Sequence, residues 1–137
     1  MIVTALCCQA KLDMMNGVHQ PGDSYRIALY TKEADLNEET VRYNARHETM
    51  GPGYTKGGFF LTNRRAALVD KVACLTWNDV KEDHCTFKAA GALVYNESRN
   101  GAAIATVLFD AEKRPSNGVF ELEFPLPIPT SAFIVIL

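Results

Sequence analysis

Four cysteines, Cys7, Cys8, Cys74 and Cys85, and three histidines, His19, His47 and His84, are the side chains of this sequence best suited to metal binding or nucleophilic chemistry. A zinc site needs ligands at short, regular spacings, and a catalytic thiol needs a base or a positive field beside it. The histidines stand far apart, and only His84-Cys85 approaches a ligand pair. Adjacent residues on a strand point to opposite faces, so those two do not converge on one ion. Even with Asp79, Glu82 and Asp83 close by, the segment reads as a solvated loop. An adjacent Cys7-Cys8 pair does not make the framework of a disulfide scaffold either. The expectation is four reduced thiols used as small apolar side chains.

The run Gly51-Pro52-Gly53-Tyr54-Thr55-Lys56-Gly57-Gly58 invites comparison with phosphate-binding loops, whose glycines expose backbone N–H groups to an anion. It lacks the spacing of a P-loop and leads into an apparent strand, Phe59-Phe60-Leu61, where a P-loop leads into a helix. A structural turn is expected. No Gly-x-Ser-x-Gly elbow occurs. Glu121 and Glu123 share a strand face as paired acids would, but solvent exposure opposite Phe120, Leu122 and Phe124 already explains them. Asn96-Glu97-Ser98 matches a glycosylation acceptor and reads as turn chemistry. Neither an enzyme nor a metal or other cofactor is expected.

The elements that would position these residues are mostly strands. Ala5, Cys8, Leu12 and Met15 recur at helical spacing between Thr4 and Asn16, predicting an N-terminal helix with Gly17 as its C-terminal cap. Gln20-Pro21-Gly22-Asp23 is a turn. In Tyr25 to Tyr30, Tyr25, Ile27 and Leu29 share one face, the period-two signature of a half-buried strand. From Thr31 to Gly58 the chain is polar and turn-rich, and so long an irregular stretch in one domain is usually functional or mobile. Strands resume at Phe59 to Thr62, at Ala66 to Val69 and at Val72 to Trp77, with Asp70-Lys71 as a hairpin turn.

Thr86 to Tyr95 is small and apolar on both faces, which predicts a central strand, and Asn96 to Gly101 turns into its partner, Ala102 to Asp110. Ala111 to Gly118 is a polar turn and Val119 to Phe124 an alternating strand. Pro125, Pro127 and Pro129 cannot donate ladder hydrogen bonds, so that segment is expected to guard an edge or to offer a docking surface. Ala132 to Leu137 is a last buried strand. Trp77 and Tyr95 are expected in the core. Together these elements predict a mainly β fold, an antiparallel β-sandwich of jelly-roll type with a short N-terminal helix. One domain over 1–137 is expected, with the helix in 1–17 and the long loop in 31–58.

Composition narrows the partners. Fourteen Lys+Arg against sixteen Asp+Glu give a formal net charge of -2, scattered along the chain, so no nucleic-acid partner is expected. The first residues lack the positive start and apolar run of an export signal, and no window reaches a membrane span; a soluble chain without membrane partners is the expectation.

The order of the segments Gly17-Val18-His19, Tyr25-Arg26-Ile27-Ala28-Leu29-Tyr30-Thr31, Gly53-Tyr54-Thr55-Lys56-Gly57-Gly58 and Ala90-Gly91-Ala92-Leu93-Val94-Tyr95-Asn96 resembles a family of small virion proteins of tailed bacteriophages. Ala103 to Asp110 and Gly118 to Pro125 fit the same pattern, which covers most of residues 17–125; the Cys7-Cys8 pair and the Pro-rich end do not belong to it. The resemblance implies a virion component made in the bacterial host cytoplasm. A capsid decoration or cement protein comes first, acting as a dimer or trimer that bridges the major capsid protein or other virion proteins. A neck, tail or fibre-associated protein of the same particle is the alternative. A carbohydrate-binding or ligand-binding sandwich, with exposed Tyr43 or Tyr54 as a sugar platform, is a further one. The candidate interface is the long loop, with Tyr43, Gly53, Tyr54, Thr55 and Lys56 as its residues.

Overall fold

Ten strands, one short α-helix and a 3-10 turn at Glu97–Arg99 are found in the computed structural model, which describes residues 1–124 and 133–136. The elements are β1 (Ala5–Leu6), α1 (Cys8–Met15), β2 (Tyr25–Tyr30), β3 (Phe59–Phe60), β4 (Arg65–Val69), β5 (Val72–Thr76), β6 (Val80–Cys85), β7 (Ala89–Asn96), β8 (Ala102–Lys113), β9 (Gly118–Leu122) and β10 (Ile134–Ile136). The fold is mainly β, and every strand pairing is antiparallel. A five-stranded sheet runs β1-β8-β7-β2-β3, a three-stranded sheet runs β10-β5-β4, and β6 pairs with β9.

The five-stranded sheet is the middle layer. Its central strand β7 is buried at every position, as the small residues Ala89, Ala90, Gly91 and Ala92 require of a strand packed on both faces. Gly91 is obligatory there: a Cβ would lie 2.5 Å from the Val107 carbonyl oxygen and 2.8 Å from the Ile2 side chain, so the amino-terminal segment packs directly onto backbone. On one face the smaller sheets close an aromatic core of Trp77, Phe87, Phe120 and Phe124 with Ile27, Leu29 and Val94. On the other face Ile2, Cys7, Ala10, Ala34 and Leu36 cover Ala28, Tyr30, Leu93 and Tyr95. This second cover is largely irregular chain.

That cover corrects two expectations. Strand β2 is not half-buried: Ala28 and Tyr30 are as buried as Ile27 and Leu29, because the amino-terminal segment and the long loop lie over them. The helix is shorter than the span from Thr4, since Ala5–Leu6 pairs with β8 as a strand. It also presents a different face. Leu12 is 51% and Met15 87% exposed, Cys8 is exposed, and the buried contacts are made by Cys7 and Ala10. The inward side of this eight-residue helix is Cys7, Ala10 and the partly buried Met14, spaced three and four residues apart. Its C-terminus is firmly set: Gly17, at φ 67°, donates to the Met14 carbonyl at 3.2 Å, and Val18 donates to that of Asp13 at 2.9 Å, the paired bonds of a Schellman cap.

Two further corrections concern lengths. Strand β8 continues to Lys113, shortening the expected turn after Asp110, and between Ala89 and Gly91 the β7–β8 register shifts from Lys113 to Leu108, so β8 carries extra residues there. The segment Val80–Cys85, expected as a solvated loop, is strand β6: its ends Val80 and Cys85 are buried, the four residues between them are exposed, and β9 supplies the ladder. The hairpin turn at Asp70-Lys71 forms as expected, with φ of 49° and 68° at the two residues and Val69 opposite Val72. The expected strand at the carboxy-terminal end is β10, paired with β5. Its outermost residues Ala132 and Leu137, and the Pro125, Pro127 and Pro129 run, lie outside the described residues.

Candidate functional site

Residues 31–58 contain no regular element, as expected, yet they are bound to the sheet along their length. Val3 donates to the Leu36 carbonyl and Leu36 to that of Met1, at 2.8 and 3.1 Å. Tyr43 donates to Gly101 at 2.8 Å and Ala103 to Val41 at 2.9 Å. Beyond the short β3, the loop takes over the edge of β2, where Thr31 donates to His47 at 3.0 Å and Thr49 to Leu29 at 2.8 Å. The Thr49 hydroxyl reaches the Lys88 carbonyl at 2.7 Å, and the Thr86 N–H reaches that of Pro52 at 2.9 Å. A segment held by this many backbone bonds is a fixed surface, with Leu29 of β2 and Ala103 of β8 as its anchors in buried strands.

One buried carboxylate organises the outer end. Glu48 accepts the Tyr43 hydroxyl at 2.5 Å, the Gly57 N–H at 2.8 Å, and the Tyr54 hydroxyl. The Tyr54 oxygen in turn accepts the Leu29 N–H at 3.0 Å, satisfying a β2 edge amide. Tyr95 donates to the Gly57 carbonyl at 2.5 Å and stacks on Tyr43 with ring centroids 4.7 Å apart. Burial, and for Tyr43 and Tyr54 the bond to Glu48, raises these phenols above their ordinary range; Tyr95 is pushed up to about 12, chiefly by burial. Gly58, at φ 91°, lies so close to β2 that a Cβ would stand 2.0 Å from the Ile27 carbonyl oxygen. The amide that made this loop look like an anion cradle is therefore occupied by the protein's own carboxylate.

The expected interface residues divide accordingly. Gly53, Thr55 and Lys56 are exposed. Tyr43 and Tyr54 are half-buried and turned inward onto Glu48, and the Tyr54 ring packs against Phe59 and Phe87, which corrects the expectation of exposed aromatics forming a sugar platform. Gly53 rests on the end of β6, where a Cβ would meet the Cys85 sulfur at 2.6 Å. Gly53, Tyr54 and Thr55 form one wall of an open hollow of about 620 Å³, whose other walls are Phe59-Phe60 and the start of β6. Phe60 is 56% exposed there, with the Arg26 guanidinium carbon 4.3 Å above its ring. Arg26 itself is held by Glu97 at 2.7 Å and by the Gly58 carbonyl at 2.6 Å. A fixed arginine over an exposed aromatic is a common anchor of protein contacts.

Sequence reasoning missed Glu48 and Phe60. A single Glu in a polar loop carries no signal of burial, and Phe60 read as one residue of an ordinary strand. Also unforeseen is a polar cluster at the far end of β7. Asp23 is gripped by Arg99 at 2.9 and 3.1 Å and by the Asn96 amide at 2.9 Å, which hold its carboxyl well below the usual range. His19 completes it, with Nδ1 3.0 Å from the Asn96 amide nitrogen.

The thiols are free, and burial raises Cys85 and pushes Cys7 up to about 11, which leaves both protonated at neutral pH. Among the described residues no three His, Cys, Asp or Glu side chains converge as a metal site would need, and no helix is long and apolar enough to cross a membrane. No family model, no curated protein and no solved structure matches the chain.

Proposed function

We propose that the protein is a non-enzymatic structural component of a tailed-phage virion, a decoration or cement protein that binds the outer surface of the head by protein contacts. One observation carries the adhesive part of this reading: the long loop is tied together by Glu48 and bonded to β2 through Thr49 and Tyr54, and its Gly53 and Thr55 border an open hollow together with the exposed Phe60 of β3. A surface ordered before it binds loses little entropy on docking, and a modest patch repeated over a rigid lattice holds through its many copies. The virion assignment rests on the segment order from Gly17 to Pro125.

The test is the abundance and position of the protein in purified particles, by quantitative mass spectrometry and a low-resolution map. A copy number matching the capsid lattice, with density on the outer shell, supports the reading. A copy number matching a single ring moves the protein to the neck or tail, and absence from the particle ends the proposal.

A further inference from the structure

A second hollow, away from the loop, separates the five-stranded sheet from the β10-β5-β4 sheet. Its volume is about 300 Å³, and most of its lining is apolar, from Ala66, Cys74, Leu75, Ile104 and Ile134. That volume stands at the lower end of the ~300–1,000 Å³ of small-molecule sites. Two polar side chains, His19 and Arg64, join this apolar wall.

Both have hydrogen-bonding capacity that the protein leaves unused. His19 is more than nine-tenths buried in its side chain, and its Nε2 has no hydrogen-bond partner; the nearest carboxylate oxygen, on Asp13, is 3.8 Å away. The Asn96 amide at Nδ1 places the ring proton on Nε2, making that atom a donor. Arg64 Nε is likewise buried and unpartnered; its guanidinium lies 5.9 Å over the Tyr25 ring and also reaches the Tyr25 hydroxyl. The other charges nearby are already engaged: Asp23 by Arg99 and Asn96, and Asp13 by the Gln9 amide at 3.0 Å. Among the described residues Arg64 takes part in no ion pair. Buried donors left unmet are costly, and a cation with an adjacent neutral donor beside hydrocarbon walls suits an acceptor-only head on an apolar body.

We infer that this hollow binds a small amphipathic carboxylate, its hydrocarbon between the two sheets and its carboxylate on Arg64 and His19. The site is separate from the proposed docking loop and does not depend on the virion reading.

Calorimetric titration of the full chain with octanoate, 1-octanol and octylammonium tests it. Octanoate should saturate at one per chain and bind at least about ten-fold more tightly than octanol, the factor expected from one charge-assisted hydrogen bond, with octylammonium weakest. Arg64→Met should bring octanoate down to the octanol level. Ala66→Trp, at an exposed strand position on the rim, should remove binding of both while the melting temperature is kept. Octanol binding as well as octanoate, octanoate binding untouched by Ala66→Trp, or no saturable binding at all would each overturn the inference. The comparison of the three probes on the unmodified chain decides the matter even if Arg64→Met does not fold.

Discussion

The two faces of the five-stranded sheet are covered by different physics. On one side, strands carry aromatic rings into a dry core, where Phe120 stacks on Phe59 at 5.7 Å and meets Phe87 at 5.1 Å. On the other, chain without regular structure lies over small residues and tyrosines, and directed bonds replace area: Tyr30 to the Asn44 carbonyl at 2.7 Å, Tyr43 to Glu48, Tyr95 to Gly57. Apolar burial is non-directional and tolerates adjustment, whereas a hydrogen-bonded cover fails when one partner is removed. The contrast shows how an irregular segment can be as fixed as a strand. Tyr54 ties the two systems together, with its ring against Phe87 and its hydroxyl on Glu48.

The largest effect should come from the aromatic side. Phe120→Ala removes a side chain that is 2% exposed and packs on the Phe59 and Phe87 rings, and is expected to lower global stability by about 3–5 kcal/mol, as core Phe→Ala changes do. Denaturant unfolding should show a lower midpoint with one cooperative transition. A loss below about 1 kcal/mol would mean that the smaller sheets contribute little to the core, and the contrast between the faces would break.

Next in size is Glu48→Leu, which leaves the Tyr43 and Tyr54 hydroxyls and the Gly57 N–H without their acceptor. At about 1–3 kcal/mol for each stranded buried donor, reduced where water reaches the half-exposed Tyr43, a total of about 2–4 kcal/mol is expected. Hydrogen exchange should accelerate in residues 31–58 well before it does in β7. Equal acceleration in both would show that the cover is not a separate layer.

What the sequence made legible follows from the same contrast. Period-two alternation reports packing of strand on strand, so the central position of β7, the Phe120 and Phe124 face and the Asp70-Lys71 turn were all readable. The irregular cover has no period. Hence the burial of Ala28, Tyr30 and Glu48 was invisible, since it depends on chain from residues 1–10 and 31–58 arriving over them. The helix misled for a related reason: Leu12 and Met15 fit a helical face by spacing, but Cys7 and Ala10 are what the sheet touches. Strand β6 was lost because Lys81, Glu82, Asp83 and His84 are all exposed, and only its pairing with β9 makes it a strand. Of the interface residues, Gly53, Thr55 and Lys56 could be placed on the surface from composition, whereas the inward turn of Tyr43 and Tyr54 required knowing about Glu48.

Alkaline pH offers a milder probe of the hydrogen-bonded face. Tyr30, Tyr43, Tyr54 and Tyr95 all have raised values in the folded chain, chiefly through burial, against 10 for an ordinary tyrosine. The folded state therefore holds these protons more tightly than the unfolded state does. Their contribution is fully present below pH 10 and is lost as pH rises from there through the folded values, beginning near 12 with Tyr95. Tyrosinate absorbance should accordingly appear together with loss of structure and lag behind free tyrosine. Titration of these phenols at 10 in the intact fold would show the cover open to water.

The smallest effect on the fold belongs to the outermost residues, and there it separates adhesion from stability. Lys56 is exposed, so Lys56→Glu should change stability by no more than about 0.5 kcal/mol. Phe60→Asp replaces a half-exposed ring on an edge strand and lies outside the Glu48 network, so its cost should also be small compared with that of Phe120→Ala. If the hollow beside Gly53 is the docking surface, both variants should co-sediment less with undecorated heads while melting close to the parent chain, with Phe60→Asp the more severe because central aromatic anchors outweigh rim charges. Unchanged attachment in both would move the contact to another part of the surface, with the pinned loop then serving only as the cover of its face of the sheet.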